Sequence, residues 1–158
     1  MDKARVRVRP VSERDGERWR ELFAAYRAFY RQPADEQVVQ RVWQWVHDDS
    51  HETNSLVATA DEHVVGIANY RRYARPLAGG AGLWLDDLFT DPSVRGLGIG
   101  RALITRLQGI AHDEGLGLVR WITAADNVTA QRLYDTLAER TTWVTYDAPP
   151  RDQSSRSS

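Results

Sequence analysis

Apolar and basic residues alternate from Ala4 to Arg9 in "ARVRVRP", and Pro10 closes the run, a period of two that predicts a short edge-type strand. The period then lengthens. Trp19, Leu22, Phe23, Tyr26, Phe29 and Tyr30 recur at helical spacing, which predicts a helix capped by Ser12, running to about residue 31 and broken by Pro33. A second helix is expected from near Asp35, with Val39, Val42, Trp43 and Val46 on one face. Two strands follow, "SLVATA" and "HVVGIANYRRY", joined by the polar turn "DEH". A Gly- and Ala-rich loop, Ala78 to Gly82, leads to a fourth strand, "LWLDDLFT". A glycine loop then opens a helix with the core stripe Leu103, Leu107, Ile110 and Ala111, and Gly115 supplies a left-handed residue at its end. "LVRWIT" reads as a fifth strand, Asp126 or Asn127 caps a fourth helix to about Glu139, and "TTWVTY" reads as a last strand. The order β-α-α-β-β-β-α-β-α-β predicts an α/β (α+β) chain with a mixed sheet and helices on both faces.

Composition narrows the class. The length of 158 residues fits one domain around a single core. A formal net charge of −1 gives no bulk electrostatic argument for nucleic acid or an anionic membrane. The absence of cysteine excludes a disulfide framework, a thiolate metal site and a cysteine nucleophile. "MDKARVRVRP" lacks the apolar core of a signal peptide and no run approaches a membrane span, so a cytoplasmic protein is expected. The ending over residues 148–158, "APPRDQSSRSS", predicts a disordered tail.

The stretch "DLFTDPSVRGLGIGRAL" carries the first chemical signal. Walker A spacing from Gly96 places Arg101 where its second glycine must stand, and the dinucleotide fingerprint fails at Arg101 or Leu103. What survives is Arg95-Gly96-Leu97-Gly98-Ile99-Gly100 between a strand and a helix. Its amides can converge on an anion at the helix N-terminus, or the segment is simply a flexible connection.

Downstream, Asn127, Ala130 and Tyr134 stand at i, i+3 and i+7 and share one helical face. With "LDDLFTDPSVRGLGIGRALI" and "NVTAQRLY" in this order, the chain resembles the GCN5-related N-acetyltransferase superfamily, over Leu83 to Tyr146 and less closely over the N-terminal helices. Within it, the resemblance is nearest to the polyamine or diamine acetyltransferases and the yeast histone or D-amino-acid acetyltransferases. It implies one domain over residues 1–147, with a mostly antiparallel sheet of six to seven strands, splayed between the fourth and fifth, and four helices on both faces. It implies acetyl-CoA as co-substrate, no metal, a small amine partner and a homodimer.

The same resemblance implies residue roles. Amides from Gly96 through Leu97, Gly98, Ile99 and Gly100 to Arg101, with Arg95 beside them, would hold the pyrophosphate. The backbone of Leu88, Phe89 and Thr90 would pair with the pantetheine arm and offer an oxyanion donor. Asn127 and Ala130 would face the cofactor, and Tyr134 would donate to the CoA sulfur. The plainer reading of Tyr134 is an amphipathic core tyrosine.

Acetyl transfer to an amine needs a neutral nucleophile, a stabilised oxyanion and a proton for the departing thiolate. The adjacent carboxylates Asp86 and Asp87 lie in an apolar strand, where successive residues point to opposite faces, so at most one faces inward without a bulge. The resemblance gives the amine-receiving role to Asp86 first and Asp87 second; two solvated acids are the bland alternative. No Ser–His pairing is evident, so direct attack in a ternary complex is expected. The acceptor is expected to be a small cationic amine: a polyamine, a diamine or an amino acid. A protein lysine or N-terminus is the alternative within the class, and a catalytically inactive CoA-binding sensor the alternative outside it.

Other features are weaker. His47 and His51 flank Asp48 and Asp49 without a third ligand signal and read as a solvated helix end. Tyr26, Tyr30, Trp43 and Trp45 can wall an acceptor pocket or simply pack. Arg71 and Arg72 suit a ribose 3′-phosphate, an acidic substrate or plain solvation. Leu137-Ala138-Glu139 replaces the Leu-Gly-aromatic turn common in relatives, which loosens any transfer of detail about the acceptor side.

Overall fold

Strand β1 (Val6–Pro10) pairs antiparallel with β2 (Asn54–Ala60), β2 with β3 (His63–Arg75), and β3 with β4 (Gly80–Thr90). The computed structural model describes residues 4–155. Residues 1–3 of "MDKARVRVRP" and 156–158 of the expected tail lie outside the described residues. The chain divides into two compact units, Met1–Ala124 and Ala125–Ser158.

In the first unit, helices α1 (Gly16–Phe29) and α2 (Glu36–His47) bury Trp19, Leu22, Phe23, Val39 and Val42 against Val57, Val64 and Ile67 of the sheet. Ser12 caps a 3-10 turn over Glu13–Asp15 that feeds α1, rather than α1 itself. The helix stops before Pro33: Arg31 takes a left-handed φ of 58°, and Gln32 N–H closes on Arg27 O at 2.9 Å. Asp35 caps α2 by accepting from Gln37 and Val38 amides at 3.0 and 3.3 Å. Trp19 satisfies its indole by donating to Ser55 Oγ at 2.9 Å.

Helix α3 (Ile99–Asp113) covers the other face of the sheet with Ile99, Leu103, Ile104, Leu107 and Ala111. A Cβ on Gly66 of β3 would meet Ile99 Cγ2 at 2.5 Å, so glycine there lets the first turn of α3 lie against the strand. Gly115 ends α3 with φ 69°, and Leu116 N–H bonds to Ala111 O at 2.8 Å, the expected left-handed stop.

The sheet among the described residues has five strands in the order β1-β2-β3-β4-β5, not the six to seven expected. Strand β5 is only Val119–Arg120, parallel to β4 at Leu83 and Trp84, so the ladder between the fourth and fifth strands stops where β4 runs on to Thr90. "TTWVTY" has strand composition but enters no ladder among the described residues, and Trp143, Val144 and Tyr146 are exposed. Strand propensity expresses itself only against a paired neighbour, and no described residue pairs with this segment. Strand β4 instead starts earlier than expected, at Gly80, because β3 continues to Arg75 and both flank a tight turn at Pro76–Ala78.

In the second unit, α4 (Val128–Tyr134) is shorter than expected. After Tyr134 the bonds tighten to Thr136 N–H on Leu133 O and Leu137 N–H on Tyr134 O, both 3.0 Å, and Thr136 Oγ1 donates to Leu133 O at 2.6 Å. Gln153–Ser155 forms a 3-10 turn in which Asp152 accepts from the Ser154 amide. No helix among the described residues is long and apolar enough to cross a membrane.

Candidate active site

The decisive irregularity lies in β4. Asn69 pairs with Asp87 but Tyr70 pairs with Leu85, so Asp86 is the extra residue of a β-bulge. Leu85 is thereby buried opposite Tyr70, whereas Asp87 and Phe89 join Asn69 and Ile67 on the face that α1 and α2 cover. Asn69 and Arg71, two apart on β3, share that face, and each binds one of the adjacent acids. The bulge therefore brings both carboxylates to one side, the case the alternation alone forbids.

Their environments differ. Asp87 Oδ2 accepts from Asn69 Nδ2 at 3.0 Å, and the Tyr26 hydroxyl of α1 is a second donor. Burial raises the Asp87 pKa above the ordinary carboxylate value, against the lowering effect of those two donors. Burial also raises that of Asp86, with Asp87 adding to the rise and Arg71 opposing it. Asp86 is the more open of the two and pairs with Arg71 Nε at 3.2 Å, while the Arg71 guanidinium lies 5.7 Å from the Trp84 ring centroid. Asn69 is 1 % exposed, and its Oδ1 has no hydrogen-bond partner among the described residues. Around the mouth of this cluster, Tyr26 meets Phe89 edge-on at 6.0 Å and Tyr30 at 5.1 Å.

Five residues beyond Thr90 the glycine loop begins. Gly96 and Gly98 have φ of 77° and 70°, and a Cβ on either would meet nothing within 4 Å. Glycine is required there by backbone conformation, not by space. Gly98 is the N-cap of α3, and Ala102 N–H makes the first intrahelical bond to Gly98 O at 2.9 Å. The amides of Ile99, Gly100 and Arg101 thus precede the helical ladder and face out along its axis, the arrangement that receives anions. Arg95 folds its Nε onto Pro92 O at 3.1 Å. On the fifth-strand side, Leu88, Phe89 and Thr90 enter no ladder among the described residues; on the other side they pair with Ala68, Ile67 and Gly66.

A tether between these regions was invisible in the sequence. Arg18 of α1 donates through Nε to Val64 O at 2.8 Å and through Nη2 to Asp91, which also accepts from the Ser93 amide and hydroxyl. Asn69 was missed too, though a buried amide inside the apolar run "VVGIANY" is a signal in retrospect.

The remaining sequence-predicted residues lie in the second unit. Asn127 Oδ1 caps α4 by accepting from Ala130 N–H at 3.3 Å, leaving its Nδ2 for other partners. Ala130 and Tyr134 follow on the same helix. His51 stacks on Trp45 and accepts from Thr53 N–H, and His47 packs edge-on against Trp43. No group of three or more potential metal ligands occurs among the described residues.

The model of the acetyltransferase (GNAT) family matches residues 19–138, which takes in most of α1, the bulged strand, the glycine loop and α4. The chain belongs to this family. It is an acetyl-CoA-dependent N-acetyltransferase. It is 26% identical to the D-amino-acid N-acetyltransferase HPA3 of Saccharomyces cerevisiae, over 90% of this chain and 89% of that protein. It is 35% identical to the mycothiol acetyltransferase of Nocardiopsis dassonvillei, over 96% of this chain but 48% of that longer protein. In fold it is similar to the aminoglycoside N-acetyltransferase AAC(6')-Iy solved in complex with CoA, with a TM-score of 0.77, 19% identity, and 96% and 98% of the two chains covered.

Proposed function

We propose that this acetyltransferase moves the acetyl group of acetyl-CoA to a primary amine by direct attack in a ternary complex, with a small cationic amine as acceptor. The observation that carries the reading is Asp87, a carboxylate of raised pKa placed by the β4 bulge beside Tyr26 and Asn69. An alkylamine arrives protonated, since its pKa is about 10. Asp87, directly or through a water, takes the ammonium proton. The freed lone pair forms the C–N bond and a tetrahedral oxyanion. As this collapses the C–S bond breaks, Tyr134 supplies a proton to the departing sulfur, and the second proton of the attacking nitrogen passes through water to restore Tyr134. A backbone amide within Leu88–Thr90 receives the oxyanion.

Asp87 takes the base role ahead of Asp86, because Asp86 is engaged by Arg71. The assignment of Tyr134 is supported by its spacing from Asn127 and Ala130 on α4. Loop amides from Gly96 to Arg101 hold the pyrophosphate, and the Nδ2 of Asn127 meets a pantetheine carbonyl. The domain takes in residues 1–147. The unpaired, exposed segment Thr141–Tyr146 supports a homodimer built through it.

Thiol release from acetyl-CoA across a panel of amines tests this function. Turnover with at least one amine is expected, with kcat in Tyr134→Phe lower by about 100-fold at unchanged CoA affinity. Tight CoA binding without turnover on any amine would leave a binding module instead.

A further inference from the structure

We infer that the acceptor carries its own carboxylate: an amino-acid-type substrate whose ammonium faces Asp87 and whose carboxylate is gripped by Arg71. The inference rests on the acetyltransferase reading and names the acceptor class at that same site.

Arg71 is held as a fixed receptor. Asp86 engages it only at Nε, at 3.2 and 3.4 Å, and no described residue accepts from its two Nη atoms. The flat guanidinium lies over Trp84, its register partner across the strand pair. The Nη pair thus remains as an open fork, the geometry that binds a carboxylate with two parallel hydrogen bonds. By contrast Arg72, one residue on and facing the other side, donates through Nε and Nη2 to the two carboxylate oxygens of Glu114, which occupies one atom of its Nη pair.

Distance and charge agree with one occupant. Arg71 and Asn69 are two apart on β3, about 6.8 Å along the strand, and Asp87 is bonded to Asn69. In an α-amino acid the nitrogen and carboxyl carbon are about 2.5 Å apart. Two charge-assisted hydrogen bonds of about 2.8 Å extend that reach to about 8 Å, comparable to the backbone spacing of the two positions. Asp86 and Arg71 offset each other, which leaves Asp87 as the uncompensated carboxylate of the bulged strand, with Glu52 a further acid near Asp86. A diamine would set its second ammonium against Arg71, whereas an amino acid sets a carboxylate there.

The test compares an amino acid with its methyl ester and with an alkyl diamine of similar length. Binding in the presence of CoA is followed by titration calorimetry, and turnover by thiol release. The amino acid should bind about tenfold or more tighter than its ester, the size of a charged hydrogen-bond pair. Arg71→Gln should bring that ratio toward one, raising KM more than it lowers kcat, and Arg71→Lys should restore part of it. An ester or diamine that binds as well as the amino acid to the native protein overturns the inference, whatever the variants do. Failure of every amine to be acetylated would refute the function proposed above, while the binding comparison still decides the subsite. Arg71→Gln is also titrated with CoA and 3′-dephospho-CoA. An unchanged ratio supports an acceptor-side role, and a fall in the ratio reassigns Arg71 to the cofactor phosphate and overturns it.

Discussion

The glycine loop and the carboxylate cluster occupy one short run, Asp86 to Arg101, yet they are built on different terms. At Gly96 and Gly98 the requirement is local: a positive φ with open space around the missing Cβ. At Asp86 and Asp87 it is relational: a bulge, a strand partner and a helix tyrosine decide which carboxylate is desolvated. A loop of the first kind tolerates neighbours of many sorts but not a side chain. A cluster of the second kind depends on every group that faces it.

The comparison is broken most severely at Asp87. Asp87→Asn should lower kcat by about 100-fold or more with cofactor affinity unchanged, whereas Asp86→Asn should cost less than about tenfold. Steady-state kinetics with calorimetric CoA titration would show it, and an Asp86 variant as damaged as the Asp87 variant would reverse their order.

The glycine loop should answer in the opposite currency, binding before chemistry. Gly98→Ala must hold a left-handed residue and should cost about 1–2 kcal/mol in stability, with CoA affinity weakened about tenfold. Gly79→Ala, in the turn between β3 and β4 with φ 64°, carries a similar backbone cost and should leave CoA affinity alone. Equal losses of affinity in both would mean that conformation alone, and not anion contact, is at stake.

The smallest effect concerns pH. The Asp87 pKa is raised on folding from its ordinary value of 3.8, so above that value the folded state holds a proton that the unfolded state has given up. Stability therefore falls as pH rises through the folded pKa. Asp87→Asn removes this penalty and should melt a few degrees higher than the parent at neutral pH, with the gap closing below pH 3.8. A gap that persists in acid would trace to packing. One substitution should thus impair chemistry and improve stability, as expected where a site carries desolvated charge.

Legibility in the sequence followed the same division. The helical periods of α1, α2 and α3 and the left-handed stop at Gly115 were written in local pattern and the structure has them, but Phe29 and Tyr30 at the end of the first run are exposed rather than core. The last strand was not: "TTWVTY" has the composition, but pairing belongs to two segments and one segment cannot state it. Helix α4 shortened for a local reason that the pattern did not weigh, the Thr136 hydroxyl competing for Leu133 O.

By itself the sequence determined most of the elements, the glycine loop and the family, because backbone conformation and helical spacing are properties of neighbouring residues. Only the tertiary structure decided that Asp86 bulges, that Asp87 meets Tyr26 and Asn69, and that Arg71 keeps an open fork while Arg72 does not. Burial and charge pairing are set by what lies across the sheet, and residues 15 to 61 positions away in the chain supply it.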